Sequence, residues 1–407
     1  MSDPGGSRES VNLRLYVWQR VTAGALFWLP TSFLFFLSHH GLESTLRLAS
    51  VYFLAVVVFE VPSGWLSDHV GRVGILRLAA LSWVVAHGLY LAAGDSFAVV
   101  AGAQVMLALG FASKSGTDTT LLFDTLENLG RVAEFERLEA RAAGSAFAAT
   151  AVAVVAGGAL GFVDLRLPFA ASLAVAVLQF AGTLRMVEPR SHRPDHLIGN
   201  SGAWRIRPVL AYLRRPVLLW LFVFLTLQQP LEGMALDLIQ PWLTRLLGSS
   251  FTEVGSAPLL SGALMAVISV VGALTARAVP ALRRRLGATR ALMALAGLET
   301  GIVLAMALTA SPLILPLLAL RSTQAAAAPV LVSTRVAPLL ERHHRATFLS
   351  LGSLSGRLLY GLVLLGLGTR NDFDSVLGLA AVIALSSLAL LVATSPLASP
   401  HPGEAGS

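Results

Sequence analysis

The chain has 407 residues, 55% of them hydrophobic and only 13% charged, with no cysteine and a formal net charge of +7. Soluble globular chains carry roughly 25% charged residues, so a large soluble enzyme is excluded, and the lack of cysteine excludes disulfides, thiolate metal sites and cysteine nucleophiles. The positive balance rests on arginine, because Lys114 is the only lysine; in a membrane protein such a balance reports loop orientation and not nucleic-acid binding.

Apolar runs of the length that crosses a bilayer, about 20 residues each, are the dominant signal along the chain. The first is predicted over 16–38. It exceeds a signal-peptide core and no small-residue cleavage site follows, so it is expected to be retained as a span. Further runs lie at 45–66, 74–93, 97–115, 142–162 and 167–187. The charged stretch 127–141 reads as a solvated helical connector. A polar segment from 188 to 214, rich in Pro, His, Gly, Asn and Arg, then interrupts the pattern. Six more runs follow at 216–240, 255–276, 288–309, 312–336, 346–368 and 375–394. The expected fold is an all-α polytopic membrane protein of twelve transmembrane helices in two pseudo-symmetric halves. An N-terminal six-helix bundle covers 1–188, a cytoplasmic linker 189–214, and a C-terminal six-helix bundle with a short cytoplasmic tail 215–407.

An even number of spans puts both termini on one side of the membrane. Twenty-two arginines fall on that side, while Arg47, Arg166, Arg245 and Arg370 fall on the other. Positive charge collects in cytoplasmic loops, so both termini are expected in the cytoplasm and the protein in the cell membrane.

Between the second and third spans stands Gly64-Trp-Leu-Ser-Asp68-His-Val-Gly71-Arg72, preceded by Glu60 and Pro62. Gly64 permits close helix approach, and Gly71 permits a tight turn at positive φ. Asp68 is an acid at a boundary dominated by cations, which calls for a partner: Arg72, or the positive N-terminus of another helix. This stretch resembles the loop signature of the major facilitator superfamily, G-x-L-x-D-x-x-G-R, extended by the E-x-P-[ST]-G form of many bacterial members. Ser115-Gly116 through Asp124, Gln240-Pro241 and Arg345-Ala346-Thr347 resemble segments of a bacterial drug- and metabolite-efflux branch. The resemblance implies a gate of Glu60, Pro62, Gly64, Asp68, Gly71, Arg72 and Asp124, with the loop acid meeting the helix that starts near Ala346. Two departures stand against the antiporter pattern. Met106 occupies the place of a span-four arginine, and the run Ala153 to Gly161 lacks the family's proline, so its glycines read as packing contacts. In the second half, Arg277 to Arg290 keeps the glycine and arginines of the signature but no aspartate.

Polar groups inside spans are functional hypotheses by default. The resemblance implies a cavity lined by spans one, four, seven and ten, and most intramembrane polar residues lie on that set: Arg20, Gln104, Gln228, Gln229, Glu232, Asp237, Arg321 and Gln324. Gln228 and Glu232 are four apart and share a helix face, as do Arg321 and Gln324, three apart. Two readings stand for Glu232 and Asp237. They carry protons in a desolvated cavity, with Glu232 the first choice, or they form structural ion pairs with Arg321 or Arg357. Arg20 either lines the cavity or snorkels to the interface. Glu299 is expected to pack or pair, and Lys114 and Asp118, four apart, to pair locally. The pairs His39-His40 and His343-His344 do not share helix faces, and no metal or cofactor is expected.

The leading expectation is a secondary transporter of a small organic molecule, acting by alternating access and exporting its cargo on the proton gradient. The rival is proton-coupled uptake or facilitated diffusion. Its expected partners are its cargo, protons and the bilayer; nucleic acid is not among them, and the chain is expected to be a monomer. ATP-driven transport within this chain is excluded, because Lys114 follows Ser113 and forms no G-x-x-x-x-G-K-[ST] phosphate loop.

Overall fold

A computed structural model describes residues 4–189, 209, 211–248, 255–370 and 372–398. All secondary structure among them is helical, so within each continuous helix the backbone polar groups are satisfied along the helix itself. Most of the expected 189–214 linker lies outside the described residues.

The first series of helices is α1 (Pro4–Gly24), α2 (Ser32–Val70), α3 (Arg72–Ala92), α4 (Phe97–Lys114), α5 (Thr117–Asn128), α6 (Phe135–Val163) and α7 (Leu167–Thr183). The second is α8 (Pro216–Asp237), α9 (Ile239–Leu246), α10 (Ala257–Leu286), α11 (Ala288–Leu308), α12 (Leu315–Ala319), α13 (Ser322–Val336), α14 (Arg342–Leu367) and α15 (Phe373–Ala393). Among the described residues ten helical stretches are long and apolar enough to cross a membrane, and the shorter apolar α7 joins them. The twelfth span is the first one, and it is discontinuous. The residues form two compact units, one of residues up to 201 with 251–266, the other of 202–250 with 267–407.

The sequence predicted one unbroken helix over 16–38. Instead α1 stops at Gly24, residues 25–31 form irregular turns, and helix resumes at Ser32. Pro30 removes a backbone donor and crowds the carbonyl four residues earlier. The freed groups find side chains from neighbouring helices: Thr150 Oγ1 donates to the Gly24 carbonyl at 2.7 Å, and the Trp28 N–H donates to Ser172 Oγ at 3.2 Å. The glycine run of α6 lets its backbone reach the break. A β-carbon at Gly157 would stand 2.0 Å from the Phe27 carbonyl oxygen. Gly157→Ala is therefore expected to destabilise the first unit by about 1–3 kcal/mol, visible as a lowered melting temperature in detergent. A second interruption at Gly41, with φ 72°, separates the end of this span from the long second span on the same α2.

Beyond the break an aromatic core closes the first unit. Phe35 and Tyr90 pack on Phe169 with ring centroids 4.6 and 5.2 Å apart. The stretch 127–141 also departs from expectation, because its last seven residues belong to α6 and put Glu139 against α1 and not wholly into solvent.

In the second unit two stripes of four-residue spacing mesh. Leu225, Gln229 and Gly233 on α8 meet Gly352, Gly356 and Tyr360 on α14. β-Carbons at Gly352 and Gly356 would fall 2.6 Å from the Leu225 side chain and 2.9 Å from Gln229 Cβ, and one at Gly233 would fall 2.3 Å from the Tyr360 ring. Small residues recurring every fourth position let the backbones close up. One turn further, the same seam delivers the Tyr360 hydroxyl to Asp237.

Candidate functional site

The loop between α2 and α3 is organised around a helix start. The first N–H groups of a helix have no partner within it and carry partial positive charge. At α3, the Arg72 and Val73 N–H groups donate to the two carboxylate oxygens of Glu188 at 2.7 and 2.9 Å. Gly71 makes room: its φ is 110°, and a β-carbon there would lie 2.9 Å from that carboxylate. Glu188 is itself held in place. Asn12 donates to the Val187 carbonyl at 2.7 Å and accepts the Val187 N–H at 3.0 Å, while the Arg77 guanidinium donates to the Thr183 and Met186 carbonyls, both at 3.3 Å. The Arg72 side chain turns the other way. Its Nη1 donates to Ser67 Oγ at 3.2 Å and its Nε lies 3.5 Å from Asp124 Oδ2. Of the expected gate residues, Arg72, Gly71 and Asp124 are thus brought together. Glu60 is half-buried on α2, with exposed Pro62 two residues on and exposed Gly64 one turn on. The side chains of Asp68 and Ala346 lie outside the described residues. Sequence reasoning missed Glu188; its signal is an acid at the first position after the sixth apolar run.

A second charged cluster crosses the first unit. Arg20 on α1 lies 3.1 Å from Asp118 of α5 and 3.4 Å from Glu139 of α6. Lys114 also bonds Asp118, and the Tyr16 hydroxyl donates to Glu139. Asp118 is 3% exposed and is the centre of the cluster. Lys114 and Asp118 pair as the sequence predicts, but Arg20 neither snorkels nor stands free. Gln104 is likewise committed, its side-chain carbonyl accepting the buried Tyr90 hydroxyl at 2.9 Å.

The third cluster lies in the second unit. Arg321, at the head of α13 and 7% exposed, has Nη2 3.9 Å from Glu232 Oε1 of α8. Arg321 also acts electrostatically on Asp237 and on Glu299 of α11, and Glu299 feels Glu232. Tyr360 donates to Asp237 at 2.7 Å. Glu299 is 0% exposed, and neither of its carboxylate oxygens has a hydrogen-bond partner among the described residues; the same holds for both amide atoms of buried Gln324. Three carboxylates from two helices therefore gather around a buried guanidinium. Glu232 and Asp237 do not act as a contiguous pair: five residues apart, they sit on different stripes of α8, with separate nearest partners. Gln228 shares the face of Glu232, whereas Gln229 belongs to the seam with α14. Arg357 is half-buried on α14, three residues before Tyr360. No group of three or more His, Cys, Asp or Glu suited to a metal ion occurs among the described residues.

Buried acids beside an arginine, on helices that cross a membrane, mark a functional site. Among proteins of curated function, no sequence matches this chain significantly. Solved structures match over nearly the whole chain. The nucleoside transporter NupG is 14% identical with a TM-score of 0.74, over 97% of this chain and 100% of that one. A D-xylose-proton symporter is 12% identical with a TM-score of 0.69, over 93% and 96%. A bacterial homolog of the human lysosomal transporter Spinster, inward-facing and occupied, is 15% identical with a TM-score of 0.66, over 98% and 97%. At such identities these likenesses establish the fold: an all-α, twelve-span architecture. The family model of the Major Facilitator Superfamily matches residues 20–363. The chain belongs to that superfamily and is a multi-pass membrane transporter of small molecules.

Proposed function

We propose that the chain is a secondary active exporter of a small organic molecule, driven by the proton gradient across the cell membrane. It works as a monomer with both termini in the cytoplasm, and its halves, 1–188 and 215–407, alternate access around the 189–214 linker. The observation that carries proton coupling is the gathering of Glu232, Asp237 and Glu299 around Arg321. A carboxylate in a dry site is neutralised by binding a proton, and a buried guanidinium that loses or regains its partner converts that proton into movement. Glu232 is the chosen carrier, because its side chain is more exposed than those of Arg321 and Glu299 and pairs with Arg321 at only 3.9 Å, long enough to open without breaking a tight bond. Gln228, Gln324 and Arg357 supply polar groups to the cargo path. Glu60, Pro62, Gly64, Asp68, Gly71, Arg72 and Asp124 form the gate. The arginine bias of the loops sets the orientation of the chain in the bilayer, and the direction of transport is tested separately.

The test is a compound screen in cells with and without the protein, with and without an uncoupler, followed by reconstitution. In proteoliposomes bearing a pH gradient, Glu232→Gln is expected to reduce gradient-driven flux at least tenfold while counterflow without a gradient persists. If flux in the variant keeps its pH dependence, Glu232 is not the carrier. Higher cellular accumulation in the presence of the protein would replace export by uptake.

A further inference from the structure

The break in the first span borders a half-open cavity of about 290 Å³ lined by residues of the first unit. Its volume is at the lower end of small-molecule sites. Trp28, Tyr52 and Trp83 supply aromatic walls, and His87 and Gln179 supply polar groups. Both polar residues are buried, His87 at 5% exposure and Gln179 at 2%. His87 Nδ1 and Gln179 Nε2 have no hydrogen-bond partner among the described residues. Burying a donor or acceptor without a partner is unfavourable by about 1–3 kcal/mol each, and both atoms belong to residues that line this aromatic cavity. Lys114 is the single charged residue in the lining, and its ammonium is taken by Asp118. The cluster behind it balances two cations, Arg20 and Lys114, against two anions, Asp118 and Glu139. The cavity therefore offers no net charge to a ligand.

We propose that this cavity binds a flat, uncharged aromatic molecule bearing a hydrogen-bond acceptor, stacked on Trp28 and Trp83 and fixed by Gln179 and His87. Stacking uses the quadrupoles of the indole rings, and the Gln179 amide donates to the acceptor. The site lies wholly in the first unit, apart from Glu232, Asp237, Glu299 and Arg321. It goes beyond the proton-coupled reading and does not depend on it.

The probe is 2-quinolone, a bicyclic ring with one carbonyl acceptor; naphthalene serves as its apolar counterpart and 1-methylquinolinium as its charged one. With purified full-length protein in detergent, 2-quinolone is expected to quench tryptophan emission and raise the melting temperature. Naphthalene and 1-methylquinolinium are expected to bind at least about tenfold more weakly, the loss of one good hydrogen bond being worth roughly that factor. Gln179→Leu is expected to weaken 2-quinolone at least tenfold while raising the melting temperature of the unliganded protein, since it removes an unsatisfied polar group. Ala176→Leu, which fills the cavity from one turn earlier on α7, is expected to abolish binding. Glu232→Gln is expected to leave binding unchanged, which separates this site from the coupling site. The proposal is overturned if the three probes bind alike or not at all. It is equally overturned if either α7 variant binds 2-quinolone as the unmodified protein does, or if Gln179→Leu lowers the unliganded melting temperature.

Discussion

Asp118→Ala is expected to lower the melting temperature of the purified protein by on the order of 10 °C. Asp118 is nearly inaccessible and accepts from both Arg20 and Lys114. Removing one partner of a buried ion network leaves the others uncompensated, at a loss of about 3–5 kcal/mol, and each kcal/mol moves the midpoint by roughly 2–4 °C in a unit of this size. Here the loss is aggravated, because Glu139 alone would remain to face two cations, Arg20 and Lys114. Adding Lys114→Met to Asp118→Ala is therefore expected to recover part of the midpoint, and Asp118→Asn to lose less than Asp118→Ala. Melts in detergent of the three variants decide the matter. A midpoint within 2 °C of the parent for Asp118→Ala would mean that water already reaches the cluster.

The second large effect is expected at Glu188, on function more than on folding. Two N–H bonds to a half-buried carboxylate at a helix start act as an N-terminal cap, whose loss is unfavourable by about 0.5–2 kcal/mol. Glu188→Ala removes both, leaving the start of α3 held by Gly71 and the Arg72 side chain alone. A contact biases a conformational equilibrium only if it differs between the states. If the Glu188 cap forms in one state and opens in the other, turnover in the proteoliposome assay is expected to fall at least about tenfold, with the midpoint lowered by only a few degrees. The absence of cysteine gives a direct readout. Ser67 is buried beside Arg72, so a single Ser67→Cys reports opening by its rate of thiol labelling, and Glu188→Ala is expected to speed that labelling. Unchanged turnover and labelling together would make Glu188 a static cap.

What the sequence revealed about these sites follows from the range of the interactions involved. The spans were legible because twenty apolar residues in a row have one physical meaning, and Lys114 with Asp118 was legible because four residues make a turn. Glu188 was not, since its partner lies 116 residues away and only the strap of Asn12 and Arg77 brings it there. The break at 25–31 shows the same limit within one span. Pro30 is visible in the sequence, but Pro62, Pro230 and Pro329 sit inside helices that continue through them. What separates Pro30 is the company it keeps. Gly157, Thr150 and Ser172, all on other helices, receive the chain where it leaves its own hydrogen bonds. For the buried acids, residue type pointed to the cluster around Arg321. The depth of Glu299 and the division of Glu232 from Asp237 depended on how α11 and α14 pack on α8.

An unbroken helix is a stiff rod: a displacement applied at one end arrives at the other. The first span is two rods joined by a short non-helical link. One is pinned by the charges around Arg20, the other by the aromatic stack of Phe35 and Phe36. A displacement of either passes through residues 25–31, whose backbone bonds are short turns and not a continuous helical ladder. Mechanically, the first unit thus contains a joint that isolates its polar end from its aromatic end.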